Sequence, residues 1–449
     1  MDPILLLSQF LLYALSALGI AASDSMPEFS GDREHLFIHL LRIGIALAVM
    51  FVVSRVRPDW VVRGARALFV LTLALLVLVL FIGEGPAGVR RWIDIPGIPF
   101  DFQPSELAKL TVVLYLAAFF HNKPTDYPVL GPIIAISVAA GLVIIEPDFD
   151  TGLFILLLAG FMLVVIGVPW RRLLAIGVAA WVIALSFSGL YLDRFQYVRD
   201  RFENWLSYQR GDFADYEQIL RRIQFNQLSS VSPEERSQLL HFLQINRDIF
   251  KKIGRVDPQV SEKIDLTSTA TMVASLQAHP AISQQIVQQM RDAFYQIAQG
   301  QKLMLKAGVF GQGAGATMPH RLPEGHNDMI FASIVWAGGW LAGLMVIFGF
   351  AMILARSLQI AARLQGSKSV MAVGLMGYLV LQAAINIGVV IGFLPVSGSP
   401  LPFVSYGGSA MLVSAIALGL LHALSREAFA GGEDEEAGAG RKAARGVQG

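Results

Sequence analysis

The chain of 449 residues contains no cysteine. Disulfides, thiolate metal sites and a cysteine nucleophile are therefore excluded. Charge is scarce: Asp, Glu, Lys and Arg together make up 15% of residues, against about 25% in an average soluble domain. Neither sign dominates, since 35 basic residues face 34 acidic ones for a formal net charge of +1. No basic face accumulates, so nucleic acid is not an expected ligand. An internal repeat strong enough to mark an inverted-repeat transporter is also missing. What fills the space is apolar: 54% of residues are hydrophobic and mean hydropathy is +0.56. The sequence reads as a polytopic membrane protein.

A spanning helix needs roughly 20 mostly apolar residues. The expected spans are 4–22, 36–54, 65–83, 105–121, 129–146, 152–168, 172–191, 329–355, 370–393 and 405–425. The expected fold class is thus all-α, with about ten transmembrane helices. The first run has Asp2 in place of a basic leader and further spans behind it, so it is expected to be a retained helix. Arginines and lysines orient the set. Arg55, Arg57, Arg63 and Arg66 follow the second span, Arg171 and Arg172 the sixth, and Arg356, Arg363 and Lys368 the eighth. Both termini are expected in the cytoplasm. Asp328, the 84–104 loop and the 394–404 turn then share the outer face.

The expected domains are 1–191 with seven spans, a large outer loop over 192–328, 329–425 with three spans, and a disordered cytoplasmic tail over 426–449. Within the loop, Ser232-Pro233-Glu234-Glu235 reads as a capped helix start. Leu239, Leu240 and Leu243, and later Ile286, Val287 and Met290, recur near helical spacing. A small helical insertion over about 213–298 is expected, its apolar stripes facing their own core. Asp257-Pro258 is another expected helix start.

Five polar stretches interrupt the apolar runs. Gly88 to Ile93 places Arg90 and Arg91 beside Trp92. Taken alone, such a group reads first as an interfacial aromatic anchor touching lipid phosphates, and as a phosphate or pyrophosphate holder second. In Gln103-Pro104-Ser105-Glu106-Leu107-Ala108-Lys109, Glu106 and Lys109 lie three apart on one helical face and can pair. Glu146-Pro147-Asp148-Phe149-Asp150-Thr151-Gly152 holds three carboxylates in five residues. They read first as caps at the break between two spans, and second as oxygen ligands for a hard divalent cation. Leu322 to Asp328 sets an aspartate at the mouth of an apolar run. A carboxylate there is either functional or a helix cap. The turn Phe393 to Ser409, with Ser397, Ser405 and Tyr406, is too rich in proline and glycine for a helix, and irregular backbone at that depth lines a cavity. Asn386, inside the preceding helix, is a buried amide in need of partners. The glycines of 308–315 follow no strand, so they fail the context of a dinucleotide loop. They are expected to permit tight turns and close backbone approach. His320 and His326 are metal-competent side chains, but two isolated histidines make no site.

Taken together and in this order, Arg91-Trp92-Ile93, Gln103 to Lys109, Glu146 to Gly152, Leu322 to Asp328 and Pro402-Phe403-Val404-Ser405-Tyr406-Gly407-Gly408 resemble the SEDS proteins (RodA, FtsW and SpoVE). These are polytopic peptidoglycan glycosyltransferases of the bacterial cytoplasmic membrane, serving elongation or division. The resemblance implies lipid II as substrate, a class B penicillin-binding protein as partner and membrane lipids as surroundings. It implies that Asp328 is required, as general base on the acceptor 4-hydroxyl. Arg91 and Lys109, with Arg90, Trp92 and Glu106, are the expected pyrophosphate-side residues, while Asp148, Asp150, Asn386, Ser397, Ser405 and Tyr406 line or support the cavity. A divalent cation (Mg2+ or Mn2+), without an assigned site, is a further source of positive charge. Two departures stand out. Relatives have a short link where this chain has its insertion, and acidic residues where it reads Ile334-Val335-Trp336-Ala337-Gly338-Gly339. A lipid II transporter and a non-catalytic scaffold for the penicillin-binding protein are the competing readings.

Overall fold

A computed structural model describes residues 1–26, 34–84, 90–94, 101–121, 123–124, 127–146, 148–174, 177, 222, 231–245, 268–278, 296–319, 322–395 and 397–446. The described residues are almost entirely helical: α1 (Pro3–Ser23), α2 (Glu34–Val53), α3 (Pro58–Ile82), α4 (Pro104–Phe119), α5 (Leu130–Ile145), α6 (Phe149–Ile166), α7 (Pro233–Ile245), α8 (Thr269–Ala278), α9 (Ile330–Arg363), α10 (Gly366–Val390) and α11 (Gly408–Gly446). Seven of these are long and apolar enough to cross a membrane. Nine of the ten expected spans fall on a described helix; most of the 172–191 span lies outside the described residues.

The chain forms two compact units. One comprises 1–179, 303–387 and 397–449; the other comprises 180–302 and 388–396. In the first unit, helix starts follow local chemistry. Asp2 caps α1, accepting from the Ile4 and Leu5 amides at 3.1 and 3.3 Å. Proline opens α1, α3 and α4 at a position where the missing amide costs nothing. Asp148 caps α6, and Gly167 in the left-handed region (φ 86°) ends it.

Small residues set the packing of α1 on α9: a side chain at Gly19 would meet Ile334, and one at Gly349 would meet Leu12. The exterior carries exposed Phe10, Phe37, Val70 and Phe81, whereas Gln9, Ser16, His39, Gln382 and Asn386 lie inside. Polar inside and apolar outside is the pattern of a bundle solvated by lipid. At its first residue the bundle is stitched by Asp2, which receives Arg356 Nε at 2.7 Å and Ser425 Oγ at 2.6 Å.

Helix α9 is broken at Gly339 (φ 72°, ψ −175°). The 308–313 run enters the break. Gln312 and Gly313 amides donate to the Trp336 and Ala337 carbonyls, while Trp340 and Leu341 amides donate to Gly308 and Val309. The glycines thus give the close approach expected of them. This run is tied to α9 within the first unit, which takes in 303–387.

In the second unit, α7 begins with the expected capping box. The Ser232 amide donates to Glu235 Oε2 (2.7 Å) and the Glu235 amide to Ser232 Oγ (3.2 Å). Helix α8 starts with a similar bond from the Thr271 amide to Ser268 Oγ. The expected start at Asp257 and the stripe at 286–290 lie outside the described residues. The tail expected from 426 onward continues α11, which runs to Gly446. Its Ala, Glu, Lys and Arg are strong helix formers, and they extend a helix already nucleated in the bundle.

Candidate active site

All five motifs meet in one cavity of about 460 Å3 in the membrane unit. Its wall combines Arg42 from α2, Arg91, Trp92, Asp101 and Gln103 from the stretch before α4, Glu106, Asp148 and Thr151, the turn residues Glu324, Asn327 and Asp328, and Gly398, Pro400 and 406–410. The volume is in the range of roughly 300–1,000 Å3 typical of small-ligand sites.

Asp328 sits in a compact turn. Glu324 adopts φ 53°, and its carbonyl accepts from the Asn327 and Met329 amides at 2.9 and 3.0 Å. Two further groups hold the turn. Asn386 Nδ2 donates to the Asp328 carbonyl and to the Ser399 carbonyl, each at 2.8 Å. Ser405 Oγ donates to the Asn327 carbonyl at 2.8 Å. The residue at the N-cap of α9 is Met329, one position after Asp328. A Cβ placed at Gly398 would lie 3.6 Å from Asp328 Oδ2, so a glycine there keeps the wall beside the carboxylate open.

Arg91 is anchored through Nε to the Glu146 carbonyl at 3.0 Å, with its guanidinium in the cavity wall. Arg90 goes elsewhere: its Nη1 donates to the Leu80 and Phe81 carbonyls, closing the C-terminus of α3. Lys109 and Glu106 form the expected pair at 2.7 Å, both nearly inaccessible. Only Glu106 reaches the cavity. Lys109 lies behind it, also bonded to Gln382 Oε1 at 3.1 Å and held near the Phe154 and Tyr378 rings. Any action of Lys109 on a ligand in the cavity therefore passes through Glu106.

The three carboxylates of 146–150 are separated by their duties. Asp148 caps α6 and receives Gln103 Nε2 at 3.2 Å. Asp150 receives the Gly398 amide at 3.2 Å, tying α6 to the 397–407 turn. Glu146, which follows α5, is buried, and among the described residues neither of its oxygens is hydrogen-bonded. Burial, and then the neighbouring Asp148 carboxylate, push its pKa up to about 8 against the opposing pull of Arg91. Among the described residues no three His, Asp or Glu side chains are grouped to hold a metal ion, so these residues do not form a preformed cation cage. Ser397 contributes a buried hydroxyl with no hydrogen-bond partner.

Sequence reasoning missed the group around Tyr406. Arg42 lies 4.2 Å over its ring and donates to its carbonyl at 2.7 Å. His35 and His326 each meet the Tyr406 ring edge-on, at 5.6 Å; His39 stacks on it at 5.9 Å. Burial lowers the pKa of His326, His35 beside it acts in the same direction, and Glu324 opposes them. His320 lies outside the described residues. A signal for Arg42 was present: an arginine inside an apolar span is expensive unless it has a task.

This chain is matched by the family model FTSW_RODA_SPOVE, described as cell cycle protein, over residues 3–218 and 267–429. It is 28% identical to the peptidoglycan glycosyltransferase MrdB of Escherichia coli, covering 94% of this chain and 92% of that one. To the probable peptidoglycan glycosyltransferase FtsW of Enterococcus hirae it is 26% identical, over 91% and 86% of the two chains. Among solved structures, it resembles a chain of a peptidoglycan synthase complex (TM-score 0.58, 21% identity, 94% and 97% covered). It also resembles the rod shape determining protein RodA of Thermus thermophilus (TM-score 0.55, 21% identity, 94% and 96% covered). At these identities the structural likenesses speak to fold.

Proposed function

The chain belongs to the FtsW/RodA/SpoVE family of cell cycle proteins, and on that premise we propose a reaction for its cavity. The protein is a peptidoglycan glycosyltransferase of cell-wall synthesis, as its relatives are named over most of its length. In the proposed reaction, lipid II is polymerised in elongation or division. The acceptor sugar's 4-hydroxyl attacks the anomeric carbon of the donor, Asp328 takes the hydroxyl proton, and undecaprenyl pyrophosphate leaves with the electrons of the broken C–O bond. One observation supports this most: Asp328 is clamped through its backbone at the wall of a cavity that also holds Arg91 and Arg42. A positioned base contributes about 10²–10⁴-fold. The guanidinium groups answer the charge that develops on the leaving pyrophosphate.

Glu106 presents a carboxylate whose charge Lys109 offsets, and both are positioning residues in this scheme. A divalent cation, Mg2+ or Mn2+, enters only as a companion of the substrate's pyrophosphate. Magnesium is commonly held by one or two carboxylates plus phosphate oxygens, and the cavity wall supplies carboxylates. Both termini lie in the cytoplasm of a bacterial cytoplasmic membrane in this reading, supported by the arginines at 55–66 and 171–172. A class B penicillin-binding protein is the proposed partner. In support, a solved structure of similar fold belongs to a complex that coordinates polymerization and crosslinking.

The transporter reading is tested in vesicles. Purified protein is reconstituted with lipid II and the proposed partner, with a transglycosylase-blocking control against contaminating polymerases. Glycan chains on a gel are the expected product. Lipid II translocated across the bilayer without polymer would overturn the reading.

A further inference from the structure

At the other end of the membrane unit lies a second cleft, of about 310 Å3, between α3, α4 and α10. Glu106 lines the first cavity and Ala118 the second, so α4 separates them by about 18 Å at 1.5 Å per residue. We propose that this cleft is a binding site for the phosphate of an anionic phospholipid headgroup.

The charges point that way. Arg63 and Arg66 line the cleft from α3, three residues apart and hence on one helical face. Among the described residues neither belongs to an ion pair. The lining carboxylate, Asp59, is already engaged by Lys368 Nζ at 2.7 Å, and Lys368 also binds Glu427 Oε1 at 2.5 Å. That trio carries one net negative charge, against two from the arginines, so the cleft keeps a positive excess. His121 and the buried Ser367 hydroxyl, 2.9 Å apart, complete the wall with polar groups that can turn toward a phosphate.

Backbone dipoles add to this. Both α3, whose N-cap Arg57 makes no side-chain capping bond, and α10 begin at this cleft. Helix starts present amide hydrogens and partial positive charge, the arrangement that holds phosphate elsewhere. A phosphate attached to a lipid fits better than a free one. Exposed Trp60 stands at the start of α3, and exposed Val70 and Leu71 continue up the helix. A headgroup in the cleft leaves its acyl chains along that apolar surface, with the indole at headgroup level. Basic pockets between spanning helices bind anionic headgroups in this way.

The test is native mass spectrometry of the full-length protein in detergent, titrated separately with phosphatidylglycerol, phosphatidylcholine and inorganic phosphate. Phosphatidylglycerol is expected to bind and phosphatidylcholine to bind more weakly. The Arg63→Gln/Arg66→Gln variant should bind phosphatidylglycerol roughly tenfold more weakly or worse, as loss of charge-assisted bonds implies. Both arginines are exposed, so that variant should fold, and Arg63→Lys/Arg66→Lys should recover much of the affinity. The charge-matched Arg55→Gln/Arg171→Gln variant, altered outside the cleft, should bind as the natural protein does. Equal losses from both glutamine variants would reduce the effect to diffuse surface charge and overturn the site. Displacement of the lipid by millimolar inorganic phosphate would overturn the lipid as its source.

Discussion

Asn386 donates from its amide nitrogen to two carbonyls, those of Asp328 and Ser399, and is itself 1% exposed. The Asn386→Ala variant leaves both carbonyls without this donor, at about 1–3 kcal/mol for each one left unsatisfied. Since one of them belongs to Asp328, kcat is expected to fall roughly 10- to 100-fold, with KM for lipid II little changed. A variant that loses only melting temperature would assign Asn386 to stability alone. The sequence marks Asn386 as a buried amide, but its partners lie on two turns, 58 and 13 residues away, which no local pattern specifies. Glu146 shows the reverse limit. Its charge suggests a cation ligand, yet the side chain is buried with no hydrogen-bond partner among the described residues. Its pKa of about 8 in the folded protein exceeds the unfolded value of about 4.3. Folding stability therefore falls as pH rises from about 4.5 to about 8, where the unfolded chain would release a proton the folded one keeps. The Glu146→Gln variant removes this effect. Its melting temperature relative to the natural protein should climb between pH 5 and pH 8; a constant difference would contradict a buried neutral carboxyl.

At the scale of elements, the break in α9 decides how the turn carrying Asp328 is mounted. As one rod, its 34 residues would run about 51 Å, well beyond the roughly 30 Å hydrocarbon core. The break at Gly339 separates a short segment beside Asp328 from a longer one. The glycine-rich run supplies partners for the interrupted helix. A Cβ at Gly339 would come within 2.0 Å of the Val309 carbonyl oxygen, whereas one at Gly308 meets nothing within 4 Å. Both glycines have positive φ. Gly308→Ala should thus cost only about 1–2 kcal/mol of backbone preference, while Gly339→Ala should lower the melting temperature much further and abolish polymerisation. Similar melting temperatures would show that the inserted run is not needed. The glycines announce close approach in the sequence, but the helix they approach does not announce its break. Its apolar run from Met329 onward has no proline, so it reads as uninterrupted.

For the molecule as a whole, the legible part is the bundle and the gathering of five polar motifs at one face of it. Hydrophobic runs place the helices and, once placed, they carry the motifs to the same end. Less legible is which side chain faces the cavity. Arg90 and Arg91 are neighbours in sequence, yet one closes α3 and the other joins the wall. Side-chain direction is set by the turn that carries it, and the sequence does not specify that turn. The family match omits 219–266, a narrower stretch than the insertion expected over 213–298, and the described α7 begins within it. In the proposed reaction this bundle holds one carboxylate, Asp328, in the wall of an arginine-bearing cavity. The most direct test compares lipid II polymerisation by the natural protein and by Asp328→Asn, each purified, folded and supplied with the partner. Glycan strands are expected from the first and a loss of at least about 10²-fold in the second, with lipid II still bound. Equal polymer from both would remove Asp328 from the chemistry.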